Sequence, residues 1–153
     1  MNRPFSIRAV LPHEVQQLQQ LSMTTFTDAF AAQNNEEDMK QYLSHAFAID
    51  RLTKELNDKE CEFYFIENEE DKAGYIKLNK KCKCALATHQ PAVELERIYI
   101  LHPYQKNGLG QQLLNFALQW ALQQNARTLC LGVWEHNVRA INFYERNGFG
   151  RYG

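Results

Sequence analysis

A chain of 153 residues, 44% hydrophobic and with a formal net charge of −1, has the length and apolar content to bury a core without disulfide or metal staples. Its near-balanced charge offers no basic stripe to follow a phosphate backbone, which argues against a nucleic-acid partner. The N-terminus Met1–Ser6 lacks an apolar signal segment and no stretch is long enough to span a bilayer, so a cytoplasmic protein without a membrane partner is expected.

Phe5 to Val10 reads as a first strand. Pro12 suits a helix start, and Val15, Leu18, Leu21, Phe26 and Phe30 follow at roughly helical spacing. Asn34 to Asp38 supplies a cap and first-turn acids for a second helix reaching Phe47, with a short third helix over 50–56. The period then changes to that of strands. Cys61 to Ile66 is aromatic and strand-like, Glu69 to Lys72 makes a polar turn, and Ala73 to Leu78 is the expected antiparallel partner. A loop over 80–91 leads to strand 93–100, helix 108–124, strand 127–134 and helix 137–147, with Asn147-Gly148 as the stop. No interdomain linker or repeat is visible, so one domain over 1–153 is expected. The fold class is α/β, with a mixed central sheet flanked by helices.

The four cysteines suggest no disulfide framework in a reducing cytosol. Cys82 and Cys84 have only His89 nearby, which is not a zinc-site spacing, so no metal is expected. Cys130, between Leu129 and Leu131, reads as inert core.

The most informative segment is Gln105-Lys106-Asn107-Gly108-Leu109-Gly110, between a strand and an apolar helix. Glycines at a strand-to-helix turn leave backbone N–H groups uncovered, and the first helical turn adds unpaired donors and the positive end of a dipole. Such a turn receives a phosphate, or merely turns tightly. Upstream, Glu94 and Glu96 share one strand face by period two. They are candidate proton acceptors, or acids that face solvent or attract a cation.

Together with the run Asn137-Val138-Arg139-Ala140-Ile141-Asn142-Phe143-Tyr144-Glu145-Arg146-Asn147-Gly148-Phe149, this turn resembles the GCN5-related N-acetyltransferase (GNAT) superfamily. The turn matches its Q/R-x-x-G-x-G/A motif and the later run matches N-x-x-A-x-x-F-Y-x-x-x-G-F, from about residue 60 onward. Thr25 to Phe30 and Glu94 to Ile100 look further like the bacterial PaiA-type polyamine N-acetyltransferases. The resemblance implies a GNAT fold whose C-terminal strands are truncated in this chain.

It also implies acetyl-CoA as cosubstrate, bound by Gln105, Lys106, Asn107, Gly108, Leu109, Gly110, Asn137 and Tyr144 and by the backbone of Ile98, Tyr99 and Ile100. That strand would pair with the pantetheine arm, and the Ile98 N–H would face the developing oxyanion. Glu94, with Glu96 as second choice, would take the proton of an ammonium, and Tyr144 would protonate the departing thiolate. The implied partner is a small-molecule amine, a polyamine such as spermidine, with Asp28, Glu36, Glu37 and Asp38 as further anions along its approach. A homodimer is compatible with this reading.

Two other classes stay in view. A dinucleotide oxidoreductase fits poorly, because Leu113 stands at the third glycine position and Leu101–Asn107 makes the turn too long. A non-catalytic acetyl-CoA-binding module of the same fold is the alternative, and it would not require both Tyr144 and the glutamate pair.

Overall fold

The computed structural model describes residues 4–82, 91–133 and 135–151, so most of the expected loop at 80–91, with Cys84 and His89, and Trp134 at the end of the expected last strand lie outside the described residues. The strands are β1 (Ser6–Ala9), β2 (Cys61–Glu67), β3 (Lys72–Asn79), β4 (Ala92–Ile100) and β5 (Thr128–Cys130). The helices are α1 (Val15–Phe30), α2 (Glu36–Ala46), α3 (Ile49–Leu56), α4 (Leu109–Gln123) and α5 (Val138–Arg146). Pro12 opens a separate 3-10 turn, Pro12–Glu14, ahead of α1.

The strands lie in the order β1-β2-β3-β4-β5, antiparallel up to β4, while β5 joins β4 in parallel. This is the expected mixed sheet flanked by helices. Side chains alternate across it and feed two cores. On one face, Leu109, Leu113, Leu114, Ala117, Trp120 and Ala121 form the buried stripe of α4, packed with Ile76, Leu78, Val93 and Leu95. On the other, Leu18 and Leu21 of α1 and Leu52 of α3 pack with Phe47, Phe63, Phe65 and Tyr75. Fully burying a leucine such as Leu113 contributes about 1.5–3 kcal/mol.

Charge fixes the first strand to this frame. Arg8 donates to both oxygens of Glu14, at 2.8 and 2.7 Å, and through Nε to Glu67 at 2.6 Å. The bonds from Arg8 outweigh burial and hold the Glu14 carboxyl down at about 2. Caps close the helices where the sequence placed them. Asn35 accepts the Asp38 N–H at 2.7 Å, and Gly148 takes a left-handed φ of 93° just past α5.

Two expectations need correction. The strand expected over 127–134 is regular only over Thr128–Cys130, because its ladder with β4 ends at the Glu94–Cys130 pair and no later residue finds a partner among those described. Cys130 is not an inert core thiol: it is disulfide-bonded to Cys82, 48 positions away in sequence. The register explains the meeting. Cys130 pairs with Glu94, Glu94 pairs with Asn79, and Cys82 follows shortly after Asn79, so the bridge reaches across β4. Of the cysteines described, Cys61 is free, and burial pushes its thiol up to about 12.

Candidate functional site

The site grows from an irregularity in β4. Leu95 pairs with Leu78 and Arg97 with Lys77, which leaves Glu96 as an extra residue. Such a bulge bends the strand and resets which side each later residue faces. Ile98 and Ile100 therefore pack with the α4 core, and Tyr99 with the core under α1. Gly74 is required opposite. A Cβ there would overlap the Tyr99 carbonyl oxygen and lie 2.7 Å from Cδ1 of Ile100.

Beyond the Glu94–Cys130 pair the sheet opens. Among the described residues β5 pairs with β4 at 92–94 alone, so the backbone edge of Glu96 to Ile100 facing away from β3 has no strand beside it. Unpaired strand edges take up extended chains. The opening leads toward the glycine turn. Gln105 Nε2 donates to the Ile100 carbonyl at 3.0 Å, which ties the turn back to the strand, and Asn107 Nδ2 donates to the Tyr104 carbonyl at 3.3 Å within the turn.

The turn itself is shaped for exposed donors. Lys106 and Gly108 take left-handed φ angles of 69° and 79°. Gly108 stands at the N-cap of α4, and no side chain caps this helix, unlike α2 and α5. A Cβ at Gly108 or at Gly110 would meet nothing within 4 Å among the described residues beyond the adjoining chain. The first N–H groups of α4 thus face open space with the positive end of the helix dipole behind them. Lys106 is exposed beside them. An anion fits this arrangement.

The carboxylates lie on the α1–α3 side of the sheet. Asn79, 7% exposed at the end of β3, donates through Nδ2 to Glu94 Oε1 at 2.9 Å and to Glu96 Oε1 at 2.7 Å. Lys77, also buried, donates to Glu96 Oε2 at 2.9 Å and lies 3.2 Å from Glu55 Oε2 of α3. Arg97 reaches within 3.5 Å of Glu96 and stacks 4.8 Å from the Phe47 ring centroid. Burial works to raise the Glu96 carboxyl, but Asn79, Lys77 and Arg97 together hold it below the usual carboxylate range. Glu96 is a fixed anion.

Asn137 caps α5 as expected, accepting the Ala140 N–H at 3.2 Å. Tyr144, on the same helix, packs 5.4 Å from Phe143 and 5.7 Å from Phe149 between ring centroids. Burial, and then the neighbouring Tyr99, push its hydroxyl well above the ordinary tyrosine value, so it stays un-ionised and able to donate a proton. Gln111 of α4 donates to Asn147 at 2.7 Å, which anchors the end of α5 beside the start of α4.

The structure thus groups Ile98 to Ile100, Gln105 to Gly110 and the two glutamates along one strand-turn-helix unit, with Asn137 and Tyr144 on α5. Asp28, Glu36 and Glu37 lie on α1 and the first turn of α2, on other elements than the glutamate pair of β4, while Asp38 accepts from Asn35 at 2.8 Å. Sequence reasoning missed Glu55, Lys77 and Asn79. The signal for the last two was a lysine and an asparagine at alternate positions of an otherwise apolar strand.

Against known proteins, the family model of the acetyltransferase (GNAT) family matches residues 15–149. An uncharacterized N-acetyltransferase of Lactobacillus delbrueckii subsp. lactis is 36% identical over 132 residues, 86% of this chain and 76% of the relative. The spermine/spermidine N(1)-acetyltransferase of Bacillus subtilis (strain 168) is 34% identical over 58 residues, 37% of this chain and 38% of that protein. Among solved structures, the PaiA N-acetyltransferase of Thermoplasma acidophilum in complex with coenzyme A superposes with a TM-score of 0.83 at 19% identity, over 96% of this chain and 90% of that one.

Proposed function

The chain belongs to the acetyltransferase (GNAT) family, and on that premise we propose that it moves the acetyl group of acetyl-CoA to a primary amine, a polyamine such as spermidine, within one domain. The observation that carries the reading is the opening between β4 and β5 beside an uncapped, glycine-lined start of α4. A pyrophosphate is matched by the N–H groups of residues 106–110 and the charge of Lys106, and an extended arm by the free edge of Ile98 to Ile100.

Acetyl-CoA supplies a thioester: the C–S bond breaks as a C–N bond forms, and of the ammonium's three protons one stays on the amide, one goes to sulfur and one leaves through a base. Glu94 is that base. Its Oε1 is held by Asn79, whereas its Oε2 makes no hydrogen bond among the described residues. A free alkylammonium titrates near 10.4, so removing its proton is a real requirement at neutral pH. Glu96, paired on both oxygens, keeps the site anionic. The Ile98 N–H serves the developing oxyanion. Tyr144 donates its hydroxyl proton to sulfur and recovers one from the nitrogen, so that the second proton lost by the nitrogen is the one that reaches sulfur in the net reaction. A phenol this weakly acidic can do so because a thiolate forming in the same desolvated place is itself a stronger base than in water.

The polyamine reading is supported by the name of the Bacillus subtilis protein and by the acids Asp28, Glu36, Glu37 and Asp38 on the first two helices. Exposed pairs of this kind are each worth about 0–1 kcal/mol, so several must act together and salt must weaken them. The test compares kcat/KM for spermidine, a monoamine and a lysine peptide at low and high salt. Spermidine should be preferred, with a preference that falls as salt rises. A preferred monoamine or peptide, or no salt effect on spermidine, refutes the polyamine assignment. Absence of coenzyme A release with every amine refutes the transfer itself.

A further inference from the structure

Two carboxylates two positions apart on one strand are chemically alike, and something must make them differ if one is to take a proton. The difference lies in β3. Asn79 is the last residue of that strand and is buried, and its amide nitrogen lies 2.9 Å from Glu94 Oε1 and 2.7 Å from Glu96 Oε1. Both partners are acceptors only, so the amide can be oriented in one way, with both of its N–H bonds spent on the pair. The remaining oxygens are treated unequally. Glu96 Oε2 receives Lys77, whereas Glu94 Oε2 receives nothing among the described residues.

The charges around the pair explain the outcome. Among the described residues, Glu55 of α3, the Cys61 thiol of β2, Lys77 of β3 and Arg97 of β4 are the titratable and charged groups that face it. Lys77 and Arg97 offset Glu55 and Glu96, which leaves Glu94, among the described residues, as the one carboxylate of the cluster without a cation. An incoming ammonium is the missing counter-ion.

Resting on the reading that Glu94 is the base, we infer that Asn79 is a positioning residue: it bridges the two glutamates, fixes Glu96 against Lys77, and leaves Glu94 with one bound and one free oxygen for the acceptor ammonium. A neutral bridge holds two anions together without adding a third. An aspartate in its place supplies no such donors and does add the charge.

The experiment is the pH dependence of kcat/KM for the wild type, Asn79→Asp and Glu94→Gln, with acetyl-CoA affinity measured by calorimetry on each. The expected result for Asn79→Asp is an acidic limb moved up by about one pH unit, hence about tenfold lower kcat/KM below it, as a like charge beside the base dictates. Acetyl-CoA affinity should be unchanged. A merely structural asparagine would lower the whole profile and leave the limb in place, and that result overturns the inference. If Asn79→Asp does not fold, Asn79→Ser carries the test. Its single donor can hold one carboxylate only, so kcat should fall about tenfold, and unchanged kcat overturns the inference. Glu94→Gln separates the two levels. Full turnover in that variant refutes Glu94 as base, whereas an inactive Glu94→Gln beside an unmoved limb in Asn79→Asp refutes only the positioning role.

Discussion

The two glycines of the turn make opposite predictions for stability and for binding. Gly108 has φ of 79°, so an alanine there pays the left-handed penalty of about 1–2 kcal/mol. For a chain of this size that lowers Tm by roughly 2–8 °C. Among the described residues, nothing beyond the adjoining chain lies within 4 Å of the added Cβ, so no further clash is expected and the variant should fold. The same open space is where the phosphate must approach. Losing one charge-assisted hydrogen bond there costs about 1.5–3 kcal/mol, a fall in acetyl-CoA affinity of roughly 10- to 100-fold. Gly110 differs. It sits in the first turn of α4 without a positive φ and with the same open surroundings, so alanine should raise stability by about 0.5–1 kcal/mol through backbone entropy. The motif that the turn resembles accepts alanine at that position, so affinity should persist. Thermal unfolding and calorimetric titration of acetyl-CoA on both variants check the pair. A folded Gly108→Ala that binds as tightly as wild type refutes the turn as the pyrophosphate site.

Tyr144→Phe removes one hydroxyl from a packed ring, so acetyl-CoA affinity should hold while kcat falls by a factor on the order of 10², as for a positioned acid; full turnover in steady-state assays would assign the ring to packing. The Glu14 carboxyl, held at about 2 against an ordinary 4.5, contributes stability that is present above pH 4.5 and is lost as pH falls toward 2. Denaturant midpoints at pH 7 and pH 3 should therefore converge in Glu14→Gln relative to wild type, with about 1.5–3 kcal/mol lost already at pH 7; an unchanged midpoint at pH 7 denies the Arg8 pair any role in stability. Reduction of the Cys82–Cys130 bridge should destabilise the fold by about 4 kcal/mol on the chain-entropy account of a loop of its 48-residue separation. Unfolding scans with and without a dithiol read this directly, and Cys130→Ser should be insensitive to the dithiol.

What the sequence could reveal followed from locality. Helical spacing placed α1 and α4, alternation placed β2 and β3, and caps at Asn35 and Asn137 are local devices that survive in the fold. The Cys82–Cys130 bridge was not local. Its partners meet only because Asn79, Glu94 and Cys130 stand abreast on three strands, a register that no cysteine spacing encodes. The short β5 has the same origin, since its extent is set by where β4 stops pairing with it rather than by its own apolar run.

The glutamate pair shows how a correct local reading can still leave out the site. Period two puts Glu94 and Glu96 on one face, and continued regularly it would put Ile98 and Ile100 there as well. The extra residue at Glu96 breaks that continuation: Arg97 joins the charged side, while Ile98 and Ile100 turn to the α4 core. Whether a strand carries a bulge depends on the register of its partner, here the step between Lys77 and Leu78, and nothing in Glu94 to Ile100 announces it. The consequence is functional in kind. A regular strand would carry its acids and its free backbone edge in fixed alternation along its whole length. The bulge separates them, with carboxylates clamped from β3 at one end and an edge open toward the glycine turn at the other. Proton removal and cofactor pairing can then occupy consecutive stretches of a single strand.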